Sequence, residues 1–326
     1  MAAIRLGIIG FGIMGERLLR AAIDQAAAHV RPIGVWDPSP AAAARLAAAA
    51  DHVSMLDGAA AVIEACDCLY IAAPPKAHLP LAEAALGAER AVFLEKPLAV
   101  DLAEARGFVA KAEALGARAA VNFPMASSPA VAQLSAWRAE GAVGEAQSLA
   151  IEVGFATWPR GWQQDAASWL ARRAEGGFTR EVLSHFLFLT LRQLGPLVLQ
   201  AATVTYPGGD LAETAVTARL TAGGLPVTIT GGVGTTAKDD HNTWTLQGSV
   251  GAIRLSDWSI AERLGKDGGW HQAADAMPNA RMRPEVLRRQ LASVAAMTRG
   301  KTHPLATLRE ALEVQEIVEA ILASAA

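Results

Sequence analysis

Three groups of residues in this 326-residue chain have the types and spacing to do chemistry. The first is Gly10-Phe11-Gly12-Ile13-Met14-Gly15, which follows the apolar run Ile4–Ile9 and opens a stretch of helical composition, Gly15–Ala28. In a strand–turn–helix setting each glycine of G-x-G-x-x-G has a task. The first makes the tight turn, the second lets backbone approach a pyrophosphate, and the third lets helix pack on strand. The free N–H groups and positive dipole end of the helix then face the phosphates. Asp37 ends the second apolar run, 22 residues beyond Gly15. A carboxylate there accepts hydrogen bonds from the adenosine ribose diol and repels a 2′-phosphate. The six loop residues and Asp37 are therefore expected to bind NAD, with NADP a possible substitute.

The second group closes the third apolar run: Ile71-Ala72-Ala73-Pro74-Pro75-Lys76-Ala77-His78. Two prolines fix a sharp exit beside the expected cofactor crevice. Ala73, Pro74 and His78 are read as cofactor contacts, although His78 equally suits the start of the next helix. The third group is Gly176-Gly177-Phe178-Thr179-Arg180-Glu181-Val182-Leu183-Ser184-His185. Positions four apart share a helix face, so Glu181 and His185 are expected to point the same way. His185 titrates near neutrality and suits general acid/base work on a hydroxyl or carbonyl.

Further candidates for substrate contact are Asn122, after the fifth strand, and the segment Trp158-Pro159-Arg160-Gly161-Trp162. Aromatic faces stack on sugar rings, and arginine grips carboxylates or hydroxyls. The same tryptophans also suit packing against a sheet. Lys238-Asp239-Asp240-His241 reads as a solvated turn. The histidines lack metal-ligand spacing, and the chain has neither a nucleophile elbow nor a Walker loop, so no metal is expected.

The elements that must position these residues change character along the chain. Strands at Ile4–Ile9, Ile33–Trp36, Leu69–Ala73, Ala91–Leu94 and Arg118–Asn122 alternate with helices at Gly15–Ala28, Pro40–Ala50, Leu79–Leu86 and Leu102–Leu115. Such alternation means a parallel, doubly wound sheet. After a helix at Ser128–Glu140, strands dominate: Ala146–Phe155, Leu199–Tyr206, Leu211–Thr221, Pro226–Val233, Thr243–Gly248 and Ala252–Leu255. A helix at Phe178–Leu194 interrupts them, and helices at Glu285–Arg299 and Leu308–Ala323 close the chain. The Gly223-Gly224 turn marks a hairpin. The fold class is thus α/β: a Rossmann domain over 1–122, then an α+β domain over 123–326 with an open, mainly antiparallel sheet.

Bulk properties narrow the function. Hydrophobic residues make up 52% and charged residues 19%, which supports a large core. A net charge of −3, from 29 basic and 32 acidic side chains, offers no footprint for nucleic acid or an anionic membrane, so a small-molecule substrate is expected. No signal peptide or membrane span is read, and Cys66 and Cys68 read as small buried hydrophobes. A cytoplasmic location is expected.

Glu95-Lys96-Pro97 follows the fourth strand. Together with the glycine fingerprint, the Ala-Pro-Pro exit, the Gly176-Gly177…His185 stretch, Gly248-Ser249-Val250-Gly251-Ala252-Ile253 and His303-Pro304-Leu305, it resembles the Gfo/Idh/MocA family over nearly the whole chain. That family includes glucose-fructose oxidoreductase and inositol dehydrogenase. The resemblance implies a substrate between the nicotinamide and the open sheet. It also implies Lys96 in the active site, bonding the reacting oxygen and relaying its proton, and a proline that often follows a cis bond. By the same match Glu95 and Lys96 lie at the cofactor, and Lys96, Glu181 and His185 at the substrate. Glu181 stands where relatives carry aspartate, and Leu183 where they carry glycine. The expected activity is an NAD(P)-dependent dehydrogenase or reductase on a sugar, inositol or polyol, as a homodimer or homotetramer through the sheet. Two rival uses remain open: a lyase or glycosidase that keeps its cofactor and oxidises transiently, and a non-catalytic NAD-binding regulator.

Overall fold

A computed structural model describes residues 2–324 of the chain. Two compact units emerge, one from residues 1–127 and 283–312, the other from 128–282 and 313–326.

In the first unit, strands β1 (Ile4–Ile9), β2 (Val30–Trp36), β3 (Cys68–Ile71), β4 (Ala91–Leu94) and β5 (Ala119–Val121) form one sheet in the order β2-β1-β3-β4-β5. Every neighbouring pair is parallel. Strands β3 and β4 are buried at every position, as strands covered on both faces must be. The crossovers are helices α1 (Ile13–Asp24), α2 (Ala41–Ala49), α3 (Ala59–Ala65), α4 (His78–Gly87) and α5 (Leu102–Ala114). The short helix α3 is absent from the sequence reading because seven residues show too little apolar period. It packs so close to β1 that a Cβ on Gly7 would lie 2.6 Å from Val62 Cγ1. Asp101 caps α5, accepting from the Glu104 amide at 2.9 Å.

In the second unit, α6 (Pro129–Ala139) leads into β6 (Ala146–Phe155). A loop with a single helical turn, α7 (Ala167–Leu170), precedes a π-helical turn over Thr179–Leu183 that runs into α8 (Ser184–Leu194). Strands β7 (Leu197–Thr205), β8 (Ala215–Ala222), β9 (Leu225–Val233), β10 (Asp240–Gly248), β11 (Ala252–Ser256), β12 (Ile260–Leu264) and β13 (Trp270–Gln272) follow. The sheet runs β13-β12-β11-β10-β6-β9-β8-β7, antiparallel except for the β6–β9 pair. Gly223 and Gly224, at φ +56° and +88°, make the β8–β9 hairpin turn. One face buries Leu149, Ile151, Val216, Leu220, Ile229 and Trp244, the last bonding Thr190 of α8 at 3.0 Å. The other face exposes Glu152, Thr217, Arg219, Thr228 and Thr230 in cross-strand rows.

Helices α9 (Asn279–Thr298) and α10 (Leu308–Ala323) end the described chain. Thr307 and Glu310 form a capping box, with bonds of 2.8 Å and 3.1 Å. The expected boundary needs correction. Residues 123–127 and 283–312 belong to the first unit, because Leu287, Leu291, Val294, Ala295, Met297 and Leu305 are buried in the same cluster as Ile4, Leu6 and Ile8. Sequence position does not dictate which core a helix fills. Leu291→Ala should therefore destabilise the first unit by about 2–5 kcal/mol. A denaturant titration that showed no loss would place this helix outside that core.

Candidate functional site

The parallel sheet gathers its carboxyl ends on one edge. There the glycine loop leaves β1, Ala73-Pro74 leaves β3, Lys96 leaves β4 and Asn122 leaves β5. Ligands of open α/β sheets bind outside that edge.

Gly10 and Gly15 make the tight turn and the close helix packing that their spacing predicts. Gly10 has φ +91°, and a Cβ on it would lie 2.4 Å from the Ala72 carbonyl carbon. A Cβ on Gly15 would lie 2.1 Å from the Gly10 oxygen, so helix and turn touch through backbone alone. Gly12 differs: a Cβ there meets nothing within 4 Å. It is exposed, and as the N-cap of α1 it carries no side-chain cap. An open, uncapped helix start fits an approaching pyrophosphate. Ile13 and Met14, half-buried, stand in its first turn. Phe11 buries its ring in the core, and its amide donates to Asp37 Oδ2 at 2.6 Å. Asp37 also accepts from the Ser39 amide at 2.8 Å, which ties the end of β2 to the glycine loop.

His78 takes one of its two expected places: it begins α4, almost fully buried. Its Nδ1 lies 2.8 Å from the Pro97 carbonyl and its Nε2 2.8 Å from the Ala73 carbonyl. The ring thus spans the two turns that follow β3 and β4. A neutral imidazole has one N–H and serves only one of these carbonyls. Burial nevertheless holds its pKa below the usual 6.5, with nearby Lys96 acting in the same direction. The peptide between Lys96 and Pro97 is cis.

Asn122 is corrected. It is buried, and its side chain is spent inside the unit. Its Nδ2 donates to Glu95 Oε1 at 2.6 Å, and its Oδ1 accepts from Gln290 Nε2 at 2.7 Å. The Tyr70 hydroxyl donates to the same Glu95 oxygen. Burial, then the Glu95 charge, push the Tyr70 phenol well above its ordinary pKa, so it remains a donor. Glu95 faces this network rather than standing alone as a cofactor ligand.

The second unit carries the other candidates. Gly177, at φ +95°, brings backbone close to the buried carboxyl of Glu213, which accepts from the Thr179 amide at 2.7 Å. Burial raises the Glu213 pKa. Arg180 forks onto Glu319, with both bonds at 2.7 Å. These contacts anchor the π turn, which leads straight into α8. Among residues 181–190 only Glu181 and His185 are half-buried, so the two do share an open face.

Around that face lies a cluster. Arg160 is buried; it meets Asp240 Oδ2 at 2.7 Å, Glu181 Oε1 at 3.9 Å and Gln163 Oε1 at 2.9 Å. Gln163 donates to Glu181 at 3.2 Å. The Trp258 ring sits edge-on to His185, centroids 5.5 Å apart, and its N–H bonds Asp240 at 3.2 Å. Asp257 and Trp258 adopt left-handed backbone, φ +45° and +73°, at the turn that presents this ring. Trp162 is 43% exposed with the Arg160 guanidinium 4.8 Å from its ring centre. Trp158 is corrected from substrate contact to packing: its N–H bonds the Leu170 carbonyl at 3.0 Å, and its ring abuts Phe155 and Phe178. Asp240 is corrected from a solvated turn to a partner of Arg160; its neighbour His241, exposed and paired with Asp257, behaves as expected. Only the β10–β6 pairing, which sets Asp240 opposite Phe155, could have revealed this, and no local motif encodes it.

Lys96 belongs to the first unit, and Glu181 and His185 to the second. Among the described residues no cluster of metal-binding side chains occurs, and no helix is long and apolar enough to cross a membrane.

Residues 4–123 match the family described as an oxidoreductase family with an NAD-binding Rossmann fold, Gfo/Idh/MocA. Over this segment the chain is similar to that family. A curated relative, dTDP-3,4-didehydro-2,6-dideoxy-alpha-D-glucose 3-reductase of Streptomyces antibioticus, is 28% identical over 207 residues. That alignment spans 60% of this chain and 59% of the relative. Solved structures extend the likeness to the whole fold. KijD10, a 3-ketoreductase from Actinomadura kijaniata in complex with NADP and TDP-benzene, matches with TM-score 0.78 at 20% identity, over 99% of this chain and 98% of that one. An oxidoreductase from Agrobacterium radiobacter in complex with NAD+, L-tartaric acid and magnesium matches with TM-score 0.81 at 18% identity, over 98% and 96%.

Two outcomes follow from this geometry. Gly12→Ala should leave thermal stability unchanged but weaken NADH binding at least tenfold in a fluorescence titration, whereas Gly10→Ala should lower stability itself. Equal effects of the two would contradict the division of labour in the loop. The pKa of His78 is lower folded than unfolded, so the unfolded chain takes up a proton that the folded ring resists, and stability drops as pH falls below about 6.5. The stability of the wild type relative to His78→Gln should shrink between about pH 7.5 and 5 in denaturant titrations. A constant difference would mean the ring stays charged between its two carbonyls.

Proposed function

We propose that the chain is an NAD-preferring dehydrogenase or reductase acting on a hydroxyl-bearing or carbonyl carbon of a sugar, inositol or related polyol. The observation that carries this reading is the convergence on one sheet edge of the open Gly12 turn and Lys96. A bound nicotinamide supplies the hydride acceptor or donor. Gly12, Ile13 and Met14 hold the pyrophosphate through the helix start, Asp37 bonds the ribose diol and disfavours a 2′-phosphate, and Ala73 and Pro74 border the dinucleotide. Lys96 bonds the reacting oxygen and takes its proton in oxidation, or returns it in reduction. In the second unit, His185 offers an acid/base group and Glu181 a carboxylate for a hydroxyl.

The Arg160 cluster supports a neutral ring. Its guanidinium already faces two carboxylates, Asp240 and Glu181, so the group presents net negative charge and disfavours an acidic substrate. Exposed Trp162 offers a stacking face. The polar rows on the exposed face of the eight-stranded sheet support self-association there, and the charge balance favours a soluble, cytoplasmic protein.

The test is absorbance at 340 nm with NAD and with NADP, across inositols, hexoses, hexuronates and dTDP-linked sugars. Turnover with a neutral polyol or sugar is expected, faster with NAD. Lys96→Ala should lower kcat by about 10²- to 10⁴-fold while NADH still binds. Near-normal turnover of this variant would remove Lys96 from the proton path.

A further inference from the structure

Three buried side chains converge on the residue next to Lys96. Tyr70 comes from β3, Asn122 from the end of β5 and Gln290 from α9; all are almost completely buried. Their polarity is set from one end. An ionised carboxylate only accepts, so Asn122 must turn its amino group toward Glu95. Its carbonyl then faces Gln290, which must turn its own amino group in reply. Tyr70 adds a second donor to the same oxygen of Glu95. Gln290 Oε1, the far end of the relay, is buried without a hydrogen-bond partner. Leaving a buried acceptor unmet costs free energy, so packing alone would favour an apolar side chain at that position. The glutamine is explained by what its amino group does for Asn122.

We propose that Tyr70, Asn122 and Gln290 are positioning residues for Lys96, acting through Glu95. The relay fixes the Glu95 carboxylate, and with it both the backbone and the electrostatic field at the next residue. It ties the E-K-P turn to three elements far apart in sequence. The inference rests on Lys96 being the working lysine, but its test does not require turnover.

The test is competitive acetylation with acetic anhydride over a range of pH, read by mass spectrometry. Lys96 is compared with Lys111 and Lys238, which are exposed. The intact protein, Tyr70→Phe, Gln290→Leu and Asn122→Asp are compared, each with its melting temperature and NADH affinity. Tyr70→Phe and Gln290→Leu keep nearly the native shape, so they remain folded if Asn122→Asp does not. The rate of Lys96 labelling relative to the two reference lysines should change at least threefold in both conservative variants, with its pH profile displaced. NADH affinity should change less than twofold. Once a substrate is in hand, kcat should fall with little change in KM. Unaltered Lys96 labelling in folded Tyr70→Phe and Gln290→Leu protein overturns the proposal, as does a change shared equally by Lys111 and Lys238. Failure of the redox reading has a different signature: normal kcat in Lys96→Ala, whatever the labelling shows.

Discussion

Backbone touching backbone at Gly10 is the constraint on which the first unit depends. At that turn the end of β1, the exit of β3 and the start of α1 approach too closely for any side chain, as the distances from a hypothetical Cβ on Gly10 and Gly15 show. Glycine alone meets both the left-handed φ and the space. From this contact follow the direction of α1 and the open ground above Gly12. The same approach holds the Ala73-Pro74 turn where His78 can reach across to Pro97. The corner that carries Lys96 is thus locked to the corner that receives the dinucleotide.

The second unit solves a different problem, that of holding charge in a partly dry place. Arg160 is buried, and a buried guanidinium is costly unless matched. Asp240, Glu181 and Gln163 match it from three separate segments. Glu213 and Glu319 do the equivalent for the π turn, where the amide of Thr179 and the side chain of Arg180 need partners. The face bearing Glu181 and His185 is therefore built on satisfied charges rather than on apolar packing alone.

What the sequence made legible follows from which interactions are local. Strands β1 and β4 stand where their apolar runs lie, since a strand covered on both faces has no other composition. The caps at Asp101 and Thr307 depend on residues three apart and were readable. Strands β12 and β13 were not, being short and lacking a regular alternation of exposure on the flank of a sheet. The glycine loop, Lys96 and the Glu181–His185 pair were singled out because motif spacing carries them. His78 begins its helix, one of the two places read for it, and Asn122 stands at a strand exit but turns inward, because exit position does not say which way a side chain turns. Their partners, Pro97 and Gln290, are 19 and 168 residues away. Asp240 and Glu213 lie in no motif, and only the three-dimensional pairing of segments reveals them.

The first unit takes residues from both sides of the second: 1–127 and then 283–312. A ribosome emits Ile4 early, but Leu291 emerges only after the whole eight-stranded sheet has been made. Domains usually fold in the order of their synthesis. Here the nucleotide-binding core waits, one wall missing, while the intervening unit is born. An exposed apolar surface lined by Ile4, Leu6 and Ile8 during that interval is the kind that chaperones hold.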